Sequence, residues 1–349
     1  MTQTASLRSG DRLAYLAQQH LLSRGLAGFL RTVVRAFASA APPPEPTSAE
    51  IKIIEQRKRE LFEADLEHVK AGDYPRELLF QLPARAYLRA IPSIARDIPL
   101  VARRMENRNF VDLPPGVDEA RYPAYYRRNF HWQTDGWFSQ TSAERYDATV
   151  EILFGGTADV MRRMAIPPLT RALREKATPR ILDVGSGTGR FLSQLHVALP
   201  RARLYGIDLS VPYCAHARKS LAHVDELTMV AENAENMPFA DDWFDAVSSV
   251  FLFHELPKDA RRNVLREMRR VVAPGGICVI NDSAQLNDSP ELSRVLDVFP
   301  AGYHEPYYKG YVRDPLEDAL RDTGFEVLST TKALLSKVVV ARKPFASAE

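Results

Sequence analysis

The stretch "ILDVGSGTGRFLSQL", residues 181–195, constrains this chain more than any other. An apolar run, a turn with glycines at 185, 187 and 189, and an amphipathic continuation read as a buried strand, a tight loop and the start of a helix. Glycine lets the backbone turn sharply and approach a ligand closely, while the first turn of the helix offers unpaired N–H groups. A small molecule is expected there. The pattern GxGxG alone is shared with dinucleotide enzymes, which prefer GxGxxG and keep the helix N-terminus for a pyrophosphate. Asp183, two residues ahead of the first glycine, would lie near such a phosphate and suits a cationic ligand better.

From Pro179 onward, β-branched runs alternate with helical patterns, the signature of a parallel α/β sheet. Strands are expected at residues 180–183, 204–208, 228–231, 245–250 and 276–282, then at 325–330 and 335–342. Only "TKAL" separates the last two, so they are expected to pair as an antiparallel hairpin. Asp208 closes the second strand in "LYGIDLS", where its carboxylate can accept both hydroxyls of a ribose. "AENAENMPF", residues 231–239, follows the third strand and brings Asn233 and the Ala234 backbone beside an expected adenine pocket. "WFDAVSSVFLFHELP" and "EMRRVVAPGGICVIND" supply a fourth strand, a helix, a Pro-Gly-Gly turn and a fifth strand.

With these motifs, residues 179–342 resemble the class I S-adenosylmethionine-dependent methyltransferases, nearest the group that includes ubiquinone, menaquinone, sterol and tocopherol methyltransferases. The resemblance implies an α/β, Rossmann-like seven-stranded sheet with helices on both faces and an antiparallel last strand. It implies S-adenosyl-L-methionine as cofactor. Asp183, Gly185, Ser186, Gly187 and Gly189 then surround the methionine part, and Asp208 and Leu209 take the ribose and adenine edge. Asn233 stands where relatives often carry Asp and, with Ala234, meets the adenine; Val250 and Phe251 line the methionine side. The turn Pro274-Gly275-Gly276 is structural in relatives. These motifs specify the cofactor and leave the acceptor open.

At 349 residues the chain exceeds one ordinary domain, so an extension accompanies the sheet. The expected division is 1–46, a basic amphipathic helix with a proline-rich linker; 47–120, a helical extension; 121–165, a lid or pre-core segment; and 166–349, the methyltransferase domain. In the first part Leu13, Leu16, Leu21, Leu22, Leu26, Phe29, Leu30, Val33, Val34 and Phe37 recur at helical spacing among Arg24, Arg31 and Arg35. Such a helix docks on the protein's own core, makes peripheral contact with an anionic membrane, or serves as a transit peptide. Prolines are expected to break "LPARAYLRAIPSIARDIPLVARR" into short helices. A formal charge of +2 gives no support for nucleic acid as a partner, and Cys214 and Cys278 lack any zinc spacing. No apolar run reaches the roughly 18 residues of a membrane span, so a cytoplasmic or membrane-peripheral location is expected.

A sulfonium methyl is already activated, so the protein must align an acceptor, exclude water and take a proton where the acceptor carries one. His254 in "FLFHELP" is a candidate base with an ordinary pKa near 6.5, although a structural role competes. His304 and Glu305 in "GYHEPYYKGY" are further catalytic candidates, with Tyr307 and Tyr308 shaping the acceptor pocket. Upstream, "NFHWQTDGWFS", residues 129–139, precedes Tyr146-Asp147, a "YD" pair resembling the segment that folds over the cofactor in relatives. His131, Trp132, Gln133, Asp135, Trp137 and Tyr146 are therefore expected to form a lid or wall selecting a flat or apolar acceptor; the alternative is a surface turn pinned by its tryptophans. Asp282, Asp288 and Glu255 match a metal site poorly, so no metal is expected. The expected partner is a small-molecule acceptor, hydrophobic in character, such as a quinone, isoprenoid, lipid or polyketide, methylated at carbon or oxygen. A membrane-peripheral cofactor-binding scaffold and a protein methyltransferase stay open beside it.

Overall fold

The computed structural model describes residues 7–37 and 46–345. Its strands are β1 (Arg180–Val184), β2 (Arg203–Asp208), β3 (Leu227–Ala231), β4 (Phe244–Val250), β5 (Val272–Ser283), β6 (Glu326–Ala333) and β7 (Ser336–Arg342). They form one sheet in the order β3-β2-β1-β4-β5-β7-β6. The first five run parallel, and β7 lies antiparallel to both β5 and β6. Every expected strand is present. The hairpin is tighter than expected, because β6 absorbs three residues of "TKAL" and turns at Leu334, whose φ is +61°.

Period-two alternation explains why both faces are dry. Ile181, Leu204, Val279 and Val338 join one apolar cluster, while their neighbours Leu182, Cys278, Ile280 and Val339 join the other. Ahead of the sheet run α1 (Asp11–Phe37), α2 (Ser48–Lys70), α3 (Ala84–Asn107), α4 (Gln140–Leu153), α5 (Ala158–Arg163) and α6 (Ile166–Leu173). Crossovers use α7 (Arg190–Ala198), α8 (Val211–Ser220) and α9 (Lys258–Val271), and α10 (Ser293–Tyr303), α11 (Tyr308–Tyr311) and α12 (Leu316–Asp322) fill the gap between β5 and β6.

The extension shares the sheet's core. Tyr15 of α1, Leu61, Phe62 and Leu66 of α2, and Leu78 and Leu79 after it belong to the same cluster as Ile181 and Leu204. A capping box starts α2, with Glu50 N–H donating to Thr47 Oγ1 at 3.2 Å and Thr47 N–H to Glu50 Oε2 at 2.6 Å. Buried Asp65 then accepts from Tyr15, Tyr74 and Arg163, each at 2.5 Å, tying α1, α2 and α5 together. The docked reading of α1 holds for its first turns, with Asp11, Tyr15 and Gln19 buried and Leu13 and Leu21 exposed. The side chains of Phe29, Leu30, Val33, Val34 and Phe37, and most of "APPPEP", lie outside the described residues. Among the described residues no helix is long and apolar enough to cross a membrane.

The prolines do not break α3. Pro92 and Pro99 are seven residues apart, hence two turns apart on one face, and both are exposed. The carbonyls they leave without an N–H partner, those of Leu88 and Ala95, belong to exposed residues that water can reach. The opposite face carries buried Ala90, Ile94, Asp97 and Arg104, which hold the helix against the protein.

Candidate active site

A cavity of about 500 Å³ opens at the carboxyl ends of β1, β2 and β4. Its cofactor side follows from the glycine turn. Gly185 and Ser186 donate their N–H groups to Ile207 O, at 2.8 and 3.1 Å, so the loop leaves β1 pinned to β2. Gly187 has φ +53°, and a Cβ there would meet no protein atom within 4 Å, so its backbone is bared to the cavity. Asp208 accepts from Gly187 N at 2.8 Å and Ser210 N at 2.8 Å, and its remaining lone pairs stay available for hydroxyl donors. Burial raises its pKa, and those two N–H groups oppose the rise. Ser248 donates to Asp183 Oδ1 at 2.9 Å, yet burial pushes Asp183 up to about 7. A buried carboxyl of this kind gains from a cation beside it. Ser186 Oγ is buried without a hydrogen-bond partner.

Leu209, Asn233, Ala234, Val250 and Phe251 complete this side of the lining. Asn233 Oδ1 already accepts from Glu235 N at 2.9 Å, which fixes the side chain in a local turn. Phe251 has φ +58°, a costly conformation for an aromatic residue, and its N–H still donates to Asn281 O at 2.9 Å. Gly189 is off the cavity wall. It begins α7 with φ +78°, and a Cβ would press Leu221 at 2.9 Å and Ala217 at 3.1 Å, so its role is packing. The pattern of glycines, buried acids and an open ribose-side carboxylate fits S-adenosylmethionine.

The acceptor side is assembled from distant segments. "NFHWQTDGWFS" folds as a short 3₁₀ turn followed by a tight bend, with His131, Trp132 and Asp135 at φ +55°, +57° and +66°. Buried Gln133 donates to Gly136 O at 2.9 Å and to the hydroxyl of Tyr213 on α8 at 3.1 Å, while Ser210 donates to Trp137 O. Arg104 of α3 donates to Thr134 Oγ1 at 2.7 Å, and Arg145 of α4 pairs with Asp97 of α3 at 3.3 Å. These bonds hold His131, Trp132, Gln133, Trp137 and Tyr146 on the cavity wall. Asp147 follows, accepting from Thr188 Oγ1 at 2.9 Å and so joining α4 to the glycine turn.

Five ionisable groups meet at that wall, His131 among them. His131 Nε2 lies 2.8 Å from Glu255 Oε1 and 2.9 Å from Glu305 Oε1. His254 Nδ1 lies 2.6 Å from Asp282 Oδ1, and its Nε2 is 3.7 Å from Glu255 and 3.9 Å from Glu305. Burial opposes the charged form of His254, but Asp282, Glu305 and Glu255 outweigh it and raise its pKa to about 10. The ring therefore carries a proton at neutral pH and acts first as a donor. Burial likewise opposes charge on His131, which Glu255 and Glu305 raise well above its ordinary value. Tyr308 lines the cavity as well, with its hydroxyl 2.6 Å from Ser283 Oγ.

Three expected contributors stand off the cavity. His304 is stacked on Phe110 at 4.5 Å and tilted against Trp132 at 4.9 Å, and burial, with Arg128 nearby, lowers its pKa to about 4. Its ring is an aromatic wedge behind the wall. Tyr307 sits outside the lining with Arg128 over its ring at 5.5 Å, and Asp135 forms the bend, its carbonyl accepting from Phe138 N at 2.9 Å. Conversely, α3 brings Ile94, Ile98, Val101 and Met105 to the cavity, and α10 brings Phe299 and Tyr303. The spacing of the α3 residues, four, three and four, was the available signal for a lining stripe.

Residues 181–276 match the protein family described as "Methyltransferase domain". A demethylmenaquinone methyltransferase of Thermus thermophilus is 36% identical over 139 residues, covering 40% of this chain and 60% of that protein. A ubiquinone/menaquinone biosynthesis C-methyltransferase of Desulfotalea psychrophila is 31% identical over 141 residues, covering 40% and 54%. A malonyl-[acyl-carrier protein] O-methyltransferase of Geobacter sulfurreducens is 30% identical over 172 residues, covering 48% and 64%. The chain thus spans less than two thirds of the length of these relatives. With the sheet order, the glycine turn and an aspartate closing β2 agreeing with that match, the chain carries a class I methyltransferase domain of the S-adenosylmethionine-dependent family.

Proposed function

We propose that the protein methylates a small, largely apolar acceptor, at carbon or oxygen, inside the cavity that also takes the cofactor. One observation carries this reading: the glycine turn and Asp208 share a single cavity with Trp132, Trp137, Tyr146, His254 and Tyr308. S-adenosylmethionine supplies a methyl already activated on a sulfonium when it is bound. Asp208, the Gly187 backbone and Asp183 hold that cofactor. Trp137, stacked on Phe130 at 4.2 Å, and the stripe of α3 offer flat and aliphatic surface to the acceptor and keep water out. Asp282 anchors His254 through Nδ1, which leaves Nε2–H to donate to the oxygen of an acceptor that enters already ionised, as a phenolate or carboxylate, and to hold that charge during attack. The substrates in the relatives' names, demethylmenaquinone and malonyl-[acyl-carrier protein], motivate trying both quinol and acyl acceptors.

The test combines calorimetric titration with S-adenosylhomocysteine and transfer of labelled methyl into quinol and lipid extracts. Micromolar binding with label in an extracted small molecule is the expected result. Label confined to protein would favour a protein acceptor and overturn the reading.

A further inference from the structure

His131, Glu255 and Glu305 come from three segments far apart in sequence, yet each offers a ligand atom within 4.8 Å of the others. His131 Nε2 is 2.8 Å from one carboxylate and 2.9 Å from the other, but an imidazole N–H points along only one such line. The second oxygen of each glutamate, Glu255 Oε2 and Glu305 Oε2, is buried with no hydrogen-bond partner. Both side chains are more than nine-tenths buried, and all three residues line the cavity. Two carboxylates are thus held together out of water on one edge of His131, with His254 Nε2 beyond hydrogen-bond reach at 3.7 and 3.9 Å, an arrangement that a bound cation relieves.

We propose that His131 Nε2, Glu255 and Glu305 bind one divalent transition cation on the acceptor side of the cavity. Edges of 2.8 and 2.9 Å match the roughly 3 Å between neighbouring ligands of an ion with bonds of about 2.1 Å. One imidazole nitrogen with two carboxylate oxygens suits Mn²⁺, Fe²⁺ or Zn²⁺ over ions that prefer thiolates or oxygen alone. Three protein ligands leave coordination positions open, and His254 Nε2 borders the same point. An acceptor bearing an oxygen, or two adjacent oxygens, fills those positions. Its oxygen is then polarised beside His254, a role that rests on the methyl-transfer reading. The sequence expectation of no metal weighed Glu255 only with Asp282 and Asp288; the fold instead turns Asp282 to His254 and brings Glu255 to His131.

The test titrates chelator-stripped full-length protein with Mn²⁺, followed by electron paramagnetic resonance, and with Zn²⁺ by calorimetry. Glu255→Gln and Glu305→Gln are run in parallel, and circular dichroism and thermal melting verify that both remain folded. His131→Gln replaces either variant that does not. One equivalent bound by the parent and at least tenfold weaker binding in the variants supports the site. No stoichiometric binding, or binding unchanged in the variants, overturns it. S-adenosylhomocysteine titration of the same samples reports separately on the methyltransferase reading, so loss of one result leaves the other legible.

Discussion

The two sides of the cavity are built by different rules. On the cofactor side every important group sits at the end of a parallel strand or in the turn after it, within a few residues of a recognisable motif. Backbone N–H groups do much of the positioning, as at Gly185, Ser186 and Gly187. On the acceptor side α3, the 129–139 bend, the turn after β4 and the segment after α10 each send in side chains, and those are held by buried ionic contacts. Residues His131 and Trp132 bear left-handed backbone there without glycine's freedom. The cofactor side is thus built by local chain geometry and the opposite side by long-range assembly.

Separate failure of the two sides is the strongest test of this contrast. His254→Ala is expected to lower turnover of labelled methyl by about 10²–10⁴-fold while leaving the calorimetric affinity for S-adenosylhomocysteine within about threefold. Equal damage to both would merge the two sides. Trp132→Ala removes a buried ring wedged against His304 and is expected to destabilise the protein by about 3–5 kcal/mol in urea unfolding. A loss under about 1 kcal/mol would make that wall plastic rather than packed. On the other side, Asp208→Ala is expected to weaken cofactor binding about 100-fold, with a modest fall in the melting temperature of the ligand-free protein because Gly187 N and Ser210 N lose their acceptor.

Smaller effects sharpen the picture. Pro92→Ala restores a helix donor on the exposed face of α3 and is expected to stabilise by about 1–3 kcal/mol, read from the denaturation midpoint. The pH dependence of Asp183 has a definite sign. Its folded pKa of about 7 lies above the ordinary carboxylate value, so the folded state holds the proton more tightly than the unfolded chain. Its contribution to stability is therefore present in acid and is lost as pH rises from about 4 to about 7. A cationic cofactor requires the ionised form, so affinity is expected to fall about tenfold from pH 8 to pH 6, an effect calorimetry at the two pH values measures.

The sequence made the sheet legible because both of its signals are local: apolar strands of fixed period and turns that only glycine permits, as in 181–195. Asp208 was readable for the same reason. Glu255 was not, because its partners lie 124 residues before it and 50 residues after it, and nothing near position 255 announces either. His304 misled for the converse reason: its neighbours in sequence are polar and aromatic, but a left-handed backbone at φ +49° turns it onto Phe110 and away from the cavity. The prolines of α3 misled because local propensity was weighed without knowing that their face would meet solvent.

Chain order gives the inserted strand β7 one more meaning. It pairs with β5 on one side and β6 on the other, yet it is synthesised after both. A nascent chain must therefore carry β5 with a bare edge, Val279 and Ile280 among its residues, throughout translation of the next fifty or so positions. During that interval the growing polypeptide offers a template for unwanted strand addition by other chains. Slow elongation through residues 284–335 would lengthen the exposure, and a chaperone that shields strand edges would have its greatest effect on yield in that window.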